Sequence, residues 1–345
     1  MEIDRRSFFS LSALAAASGL TGSVSGAKVM LKGPKETRGP RTARNHFVLD
    51  GKSAVAVAGG EGGPRALVRR AVEAIGGLGK IGVRGKTVLV KPNVVGARGS
   101  PTTTSPGVVG AVVRMLYEEG ASSVLVGDMS SLLRLPTERN MERTGVARAA
   151  LEAGAKVLYF EDHEWVRVRL PEAGHIKEVD VSEWIFRAGL VINLPVIKTH
   201  KWAGYSICLK NFVGATNFRQ RPYFVDRSHW EEVVAEINLA YAPDLNVVDG
   251  TRVMAAGGPF SGTVREAGVV MAGGDRVAVD AAGVALIKSY GLWEGGAGSP
   301  WDQRQIRRAA ELGLGARGAK EVALVKAGEG PALDALFGAI AANLA

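Results

Sequence analysis

A chain of 345 residues, 46% of them hydrophobic and 22% charged, is long enough to bury the core of one large or two smaller domains and has the balance of a water-soluble globular protein. Lys+Arg outnumber Asp+Glu by 43 to 34, a net +9 that favours anionic ligands or surfaces, and no basic tract interleaved with aromatics points to nucleic acid. A lone cysteine, Cys208, excludes an intrachain disulfide and a cysteine-held iron–sulfur cluster or zinc site; between Ile207 and Leu209 it reads as a small buried hydrophobe.

The chain opens with Arg5-Arg6, then Ser7-Phe8-Phe9, a mildly apolar run from Leu11 to Leu20, and the small-x-small triplet Ser25-Gly26-Ala27. The run is too short and too rich in Ala, Ser and Gly for a stable bilayer span. The stretch resembles a twin-arginine export signal, which implies the twin-arginine translocase as a partner and a periplasmic or extracytoplasmic destination, with no membrane span after cleavage. Residues 1–27 are therefore expected to be a signal peptide, residues 28–51 a polar linker of low order, and residues 52–345 a single domain.

Within that domain, short apolar runs alternate with helical patterns. Ala54 to Val57 reads as a strand, followed by a Gly-rich turn and a helix from about Pro64 to Ile75; GGEGGP has neither the Walker lysine spacing nor GxGxxG, so no nucleotide loop is assigned. Thr87 to Val90 is a strand ending in Lys91-Pro92-Asn93. Thr102-Thr103-Thr104-Ser105-Pro106 then opens a helix to about Glu119, with Ser105 as its cap, Pro106 at its first position and Gly120 as its stop. The threonine run allows two readings, a cap with a turn or an anion cradle at a helix N-terminus. Ser123 to Val126 is a strand ending in Gly127-Asp128, and one helix is expected from about Met141 to Ala153. Val166, Val168 and Leu170 alternate with arginines and, with Ile176, Val179 and Val181 beyond Gly174, predict an antiparallel hairpin with one wet side; His163 and His175 fall on its surface. Later come a helix over Trp230–Tyr241, a strand Leu245–Val248 ending in Asp249-Gly250, a strand Val269–Ala272, a helix Val277–Ile287 with Asp280 in its first turns, a strand Val322–Val325 and a helix Ala332–Leu344. The pattern predicts an α/β fold: an open, largely parallel sheet flanked by helices, with a small antiparallel hairpin insertion.

The stretch from Leu190 to Asn217 concentrates polar chemistry. An apolar strand halted by Pro195 leads into Lys198, Thr199, His200 and Lys201, then Tyr205, Ser206, Lys210, Asn211 and Asn217, separated by Ala203, Gly204, Gly214 and Ala215. A loop that only connects does not carry so many donors among small residues; one that binds an anion or cofactor does. In open α/β sheets ligands bind outside the carboxyl ends of the strands. If these strands are parallel, Lys91, Asn93, Thr103, Asp128, Asn211, Asp249 and Asp280 converge as ligand-binding residues on a catalytic group of Lys198, His200 and Lys210. Lysines desolvated beside other cations can act as bases or nucleophiles, and His200 can move protons. Asp128, Asp249, Asp275 and Asp280 can hold a hard cation or orient His200. No Ser-His-Asp elbow, HExxH or paired metal motif is present, so metal ligands are not assigned; a divalent metal or a covalently bound organic cofactor stays open.

LPVIKTH and LKNFVGA, with KPN upstream and DG…GGP…G…D…D downstream, resemble the domain of unknown function family 362 over roughly Ala54 to Tyr290. Members of that family often carry an appended ferredoxin-like domain with cysteine-ligated clusters; this chain departs from that pattern because Cys208 is alone. The segment HKWAGYSICLK, His200 to Lys210, is similar to the His-x-x-Ala-Gly-Tyr-Ser…Lys segment of nickel-pincer lactate racemases. There the lysine carries a covalent cofactor and the histidine acts in proton transfer; Ile207, Cys208 and Leu209 replace Gly-rich residues of that segment. The expectation is an exported enzyme-like protein that binds a small anionic substrate or cofactor at the strand ends and works by Lys/His acid–base chemistry. Two alternatives stand beside it: a non-catalytic extracytoplasmic binding protein, and a racemase-like enzyme with a lysine-linked cofactor.

Overall fold

The computed structural model describes residues 33–224, 228–296 and 298–345; the expected signal at residues 1–27 lies outside them. A 12-stranded sheet organises the chain. Its central path runs β15 (Val322–Ala327), β3 (Lys52–Ala58), β14 (Val269–Gly273), β12 (Leu245–Gly257), β9 (Leu190–Leu194), β4 (Thr87–Pro92), β5 (Ser123–Asp128) and β6 (Lys156–Tyr159). Every neighbouring pair is parallel except those made by β14, which runs against both β3 and β12.

The reason for this architecture is visible in the strands. Both faces are buried, so they read as continuous apolar runs, and alternate residues enter opposite cores. Val55 and Val57 of β3, Leu89 of β4, Leu125 of β5 and Val191 of β9 pack with the helices Trp230–Ile237 and Arg276–Lys288. Ala54 and Ala56, Val88 and Val90, Val124 and Val126, and Leu190 and Ile192 pack on the other side with Gly63–Ala74 and Pro106–Glu118. Helices therefore flank a mostly parallel sheet, as expected.

The predicted hairpin is β7 (Trp165–Arg169) against β8 (Glu178–Ser182), antiparallel. It forms a separate three-stranded sheet because β1 (Glu36–Arg38) adds in parallel along β7. Residues 33–51 thus depart from the expected linker. Arg41 pairs with Asp244 at 2.6 Å, Phe47 is fully buried, and β2 (Val48–Leu49) pairs with β3. The helix expected over 141–153 is two helices, Thr137–Arg143 and Val146–Glu152, because Gly145 between them is left-handed at φ 77°.

Beyond Pro195 the chain re-enters the sheet as β10 (Val196–His200). This strand runs parallel to the outer half of β12, with Val196 opposite Asp249 and Lys198 opposite Met254, and turns back through β11 (Gly204–Ser206). The strand expected to end at Val248 instead continues to Gly257 and folds over β13 (Gly262–Arg265). Both extensions continue past the carboxyl end of β9. Among the described residues no helix is long and apolar enough to cross a membrane.

Candidate functional site

Because β12, β9, β4 and β5 are parallel neighbours, Asp249, the β9–β10 crossing, Lys91 and Asp128 share one edge. Lys91 Nζ donates to Asp128 Oδ1 at 2.7 Å, and both side chains are buried. The other carboxylate oxygen of Asp128 accepts the Val94 amide at 2.7 Å. Burial pushes the Lys91 pKa down while Asp128 opposes that shift, the compensation a buried ammonium requires.

A file of amides connects this pair to Lys198. Asn246 on β12 and Asn193 on β9 are register partners, and Asn193 donates to Asn246 Oδ1 at 3.0 Å. Asn211 donates to Asn193 Oδ1 at 2.8 Å, and Asn93 donates to Asn211 Oδ1 at 3.0 Å. Lys198 Nζ then donates to Asn93 Oδ1 and to the Thr102 carbonyl, each at 2.7 Å. Lys198 is 1% exposed, and burial, with Lys210 and then Lys91 adding to it against Asp128, pulls its pKa down to about 7.

His200, two residues on, is 7% exposed. Its Nδ1 accepts the amides of Trp202 at 3.3 Å and Ala203 at 3.2 Å, the latter shared with the His200 carbonyl. Burial, then Lys210 and Lys198, hold its pKa well below the ordinary value.

Lys210 sits on the short turn Cys208–Asn211. It keeps some solvent contact, yet burial of its amine, with the Arg221 guanidinium nearby, lowers its pKa to about 7. Its Nζ lies 5.1 Å from the centroid of the Trp230 ring, a cation–π contact. Among the described residues it has no carboxylate or other hydrogen-bond partner. Arg221 is buried as well and donates to the carbonyls of Ser130 at 2.6 Å, Thr216 at 3.2 Å and Met129 at 3.3 Å. Among the described residues the site is thus rich in cations, with one directly paired carboxylate, that of Asp128.

The remaining expected residues hold the chain together. Asp249 accepts the Ser105 amide at 2.7 Å and the Thr251 hydroxyl at 2.6 Å. It therefore supplies from within the protein the negative charge that the helix start at Ser105 favours, and the anion-cradle reading of the threonine run is corrected. Thr103 is fully buried and donates to Gly96 O at 3.4 Å, which is the cap-and-turn reading.

Asp280 is buried under the Lys210 turn. It accepts the amides of Cys208 at 2.6 Å and Leu209 at 3.2 Å and the Tyr205 hydroxyl at 3.0 Å, so its carboxylate orients that turn instead of facing a ligand. Burial raises its pKa to about 7 against those hydrogen bonds. Asp275 caps the helix that follows and accepts Ser53 Oγ and the Ala316 amide. The hard-cation reading of these aspartates does not fit: each is committed to a different set of donors. Among the described residues no three His, Cys, Asp or Glu side chains gather to hold a metal ion. Cys208 is fully buried, and burial, then Asp280, push its thiol well above the ordinary value, as an inert packing residue would have it.

Sequence reading missed Asn193, Asn246, Arg221 and the Thr102 carbonyl. The asparagines had a signal: each is a lone polar residue inside an apolar strand, LVINL and LNVV. Arg221 had none. Two hollows lie elsewhere. One is an apolar gap of about 10 Å³ beside Val68, Val112 and Ile192, and the other an open hollow of about 390 Å³ beside Trp301, Arg307 and Arg317.

Three comparisons place the chain among known proteins. The family profile described as "Domain of unknown function (DUF362)" matches residues 88–285. A curated relative, the thylakoid-associated protein sll1697 of Synechocystis sp. (strain ATCC 27184 / PCC 6803 / Kazusa), is 27% identical over 222 residues, which is 62% of this chain and 67% of the relative. Among solved structures, the lactate racemase apoprotein of Thermoanaerobacterium thermosaccharolyticum aligns at a TM-score of 0.37 and 16% identity, over 60% of this chain and 52% of that one. With the profile covering more than half of its length, and that segment holding every residue of the cluster just described, this chain belongs to the domain of unknown function family DUF362.

Proposed function

We propose that this protein is an exported enzyme that binds a small anionic substrate or cofactor at the carboxyl ends of its central strands, with Lys198, His200 and Lys210 as the groups that move a proton or hold the charge it leaves. The observation that carries the reading is Lys210: a desolvated amine beside Lys198, His200 and Arg221, with no carboxylate opposite it among the described residues. A buried ammonium without a counter-charge is costly, so an anionic occupant is the economical complement. Amines with pKa values near 7 also exchange protons at neutral pH, which suits general acid–base work. A non-catalytic binding protein needs only that charge complement.

The test is calorimetric titration with sulfate, a dianion across the working pH range, and with acetate at pH 6. Wild type is expected to bind at least one of them and Lys210→Met to bind neither. Absence of binding to the wild type refutes the reading.

The same amine, without a counter-charge among the described residues, favours a second reading, the lysine-linked cofactor. Lys210 is the residue that would hold such a group, which would bring the electrophilic chemistry, and His200 would act beside it. Intact mass of protein from its native host decides: an excess over the processed sequence, mapped to the Lys210 peptide, supports it.

A further inference from the structure

The hydrogen-bond directions around Lys198 and His200 separate their roles, on the reading that the site takes an anion. Asn93 turns its Nδ2 to Asn211 Oδ1 and its own oxygen to Lys198, because Asn211 Oδ1 is fixed as an acceptor by Lys91, the cation paired with Asp128 and so a donor alone. Lys91 donates to the same Asn211 Oδ1, at 3.4 Å. Every amide in the file must then point one way, until Asn246 Nδ2 reaches the Gly273 carbonyl at 3.1 Å. Chains so aligned polarise one another, which makes Asn93 Oδ1 a firm acceptor. With the Thr102 carbonyl it engages two valences of the Lys198 nitrogen, and no partner among the described residues takes the third. In the neutral amine the two N–H bonds occupy those acceptors and the lone pair is left free. His200 is the reverse case. Two amide N–H groups point at Nδ1, so its lone pair is engaged there and the neutral ring carries its proton on Nε2.

We propose that Lys198 is the proton-accepting base of the site and that His200 is a fixed, neutral hydrogen-bond donor through Nε2–H. The substrate class follows: a small anion whose lost proton leaves further negative charge behind, such as a carboxylic acid with a C–H or O–H next to a carbonyl. A new N–H bond forms on Lys198 Nζ, the substrate C–H or O–H bond breaks, and its electron pair stays on the substrate. His200 Nε2–H and the Lys210 ammonium stabilise that charge. Among the described residues, the charged groups acting on Lys198 are Lys210, Lys91 and Asp128, and those acting on His200 are Lys210 and Lys198. All but Asp128 disfavour a further proton, consistent with a neutral amine and imidazole at rest.

The test is NMR of the full chain labelled with ¹⁵N-histidine and ¹³Cε-lysine. Signals are assigned by their loss in His200→Gln and Lys198→Arg. We expect His200 to show the Nε2–H tautomer unchanged from pH 6 to pH 8, and Lys198 to titrate within about one unit of pH 7. An Nδ1–H tautomer or an imidazolium at pH 6, or a Lys198 midpoint near that of free lysine, overturns the assignment. Sulfate added to the same samples tests the anion site separately. If the Lys210 signal does not move with sulfate, anion binding fails while the two titrations still judge Lys198 and His200.

Discussion

Two lysines of this site with desolvated amines differ in their partners, and the difference predicts opposite mutants. Lys91 has Asp128 within 2.7 Å, whereas Lys210 has an aromatic ring and no carboxylate among the described residues. Lys91→Met leaves Asp128 buried without its cation, at a cost of about 3–5 kcal/mol, measurable by urea unfolding. Lys210→Met removes an uncompensated amine, so its stability at pH 6 should equal or exceed wild type while sulfate stabilisation is lost; a loss as large as that of Lys91→Met would show that Lys210 has an internal counter-charge. Asp280→Asn turns an N–H toward one of the three donors the carboxylate accepts and should cost about 1–3 kcal/mol. Lys198, His200 and Lys210 were legible in the sequence because polar residues among glycines after a strand break the apolar pattern. Asp280 was legible as a residue but not in its role, because two of its three donors are backbone amides, which sequence does not display.

At the scale of elements, the strands read correctly because burial on both faces leaves an apolar run, and their ends placed Lys91, Asp128 and Asp249 on one edge. What sequence reading lost was continuation. β10 and the outer half of β12 lie beyond residues that usually end strands, Pro195 and Asp249-Gly250, and exist because they pair with each other. Residues 33–51 look polar and unstructured for a similar reason: β1 and β2 are strands only through their partners β7 and β3. The turn Phe212–Ala215 shows how closely such elements meet. A Cβ on Gly214 would lie 2.1 Å from Asp128 Oδ1 and 2.7 Å from Lys91 Nζ. Gly214→Ala must therefore push the turn off the buried pair, and a loss of about 1–3 kcal/mol is expected from such overpacking. Full wild-type stability would mean that the turn does not seal the pair.

For the whole molecule, export is tested by Arg5→Lys with Arg6→Lys, which should leave uncleaved protein in the cytoplasm; unchanged export ends that proposal. The pH dependence of stability tests the charge state of the site as a unit. Lys198 and Lys210 fall from 10.5 in the unfolded chain to about 7 when folded. Between those values the unfolded chain binds protons that the native protein does not, so stability rises with pH. Lys91 is shifted the same way. Groups of other sign act elsewhere. Asp280 and Glu161, raised to about 7, make stability fall as pH climbs from about 4 to 7. His200, held well below 6.5, opposes them within that lower range. Cys208 and Tyr205, raised from 9.0 and 10.0, act above about pH 9 and lower stability there. The range from pH 7 to 9 therefore isolates the lysines, and the urea midpoint should climb across it. Sulfate should flatten the climb, because an anion beside the amines restores their protons in the native state. It should do so less in Lys210→Met, which controls for the general stabilisation that sulfate gives any fold. A wild-type midpoint flat from pH 7 to 9 would mean that the buried lysines stay charged throughout, with a counter-charge that the hydrogen bonds around them do not provide.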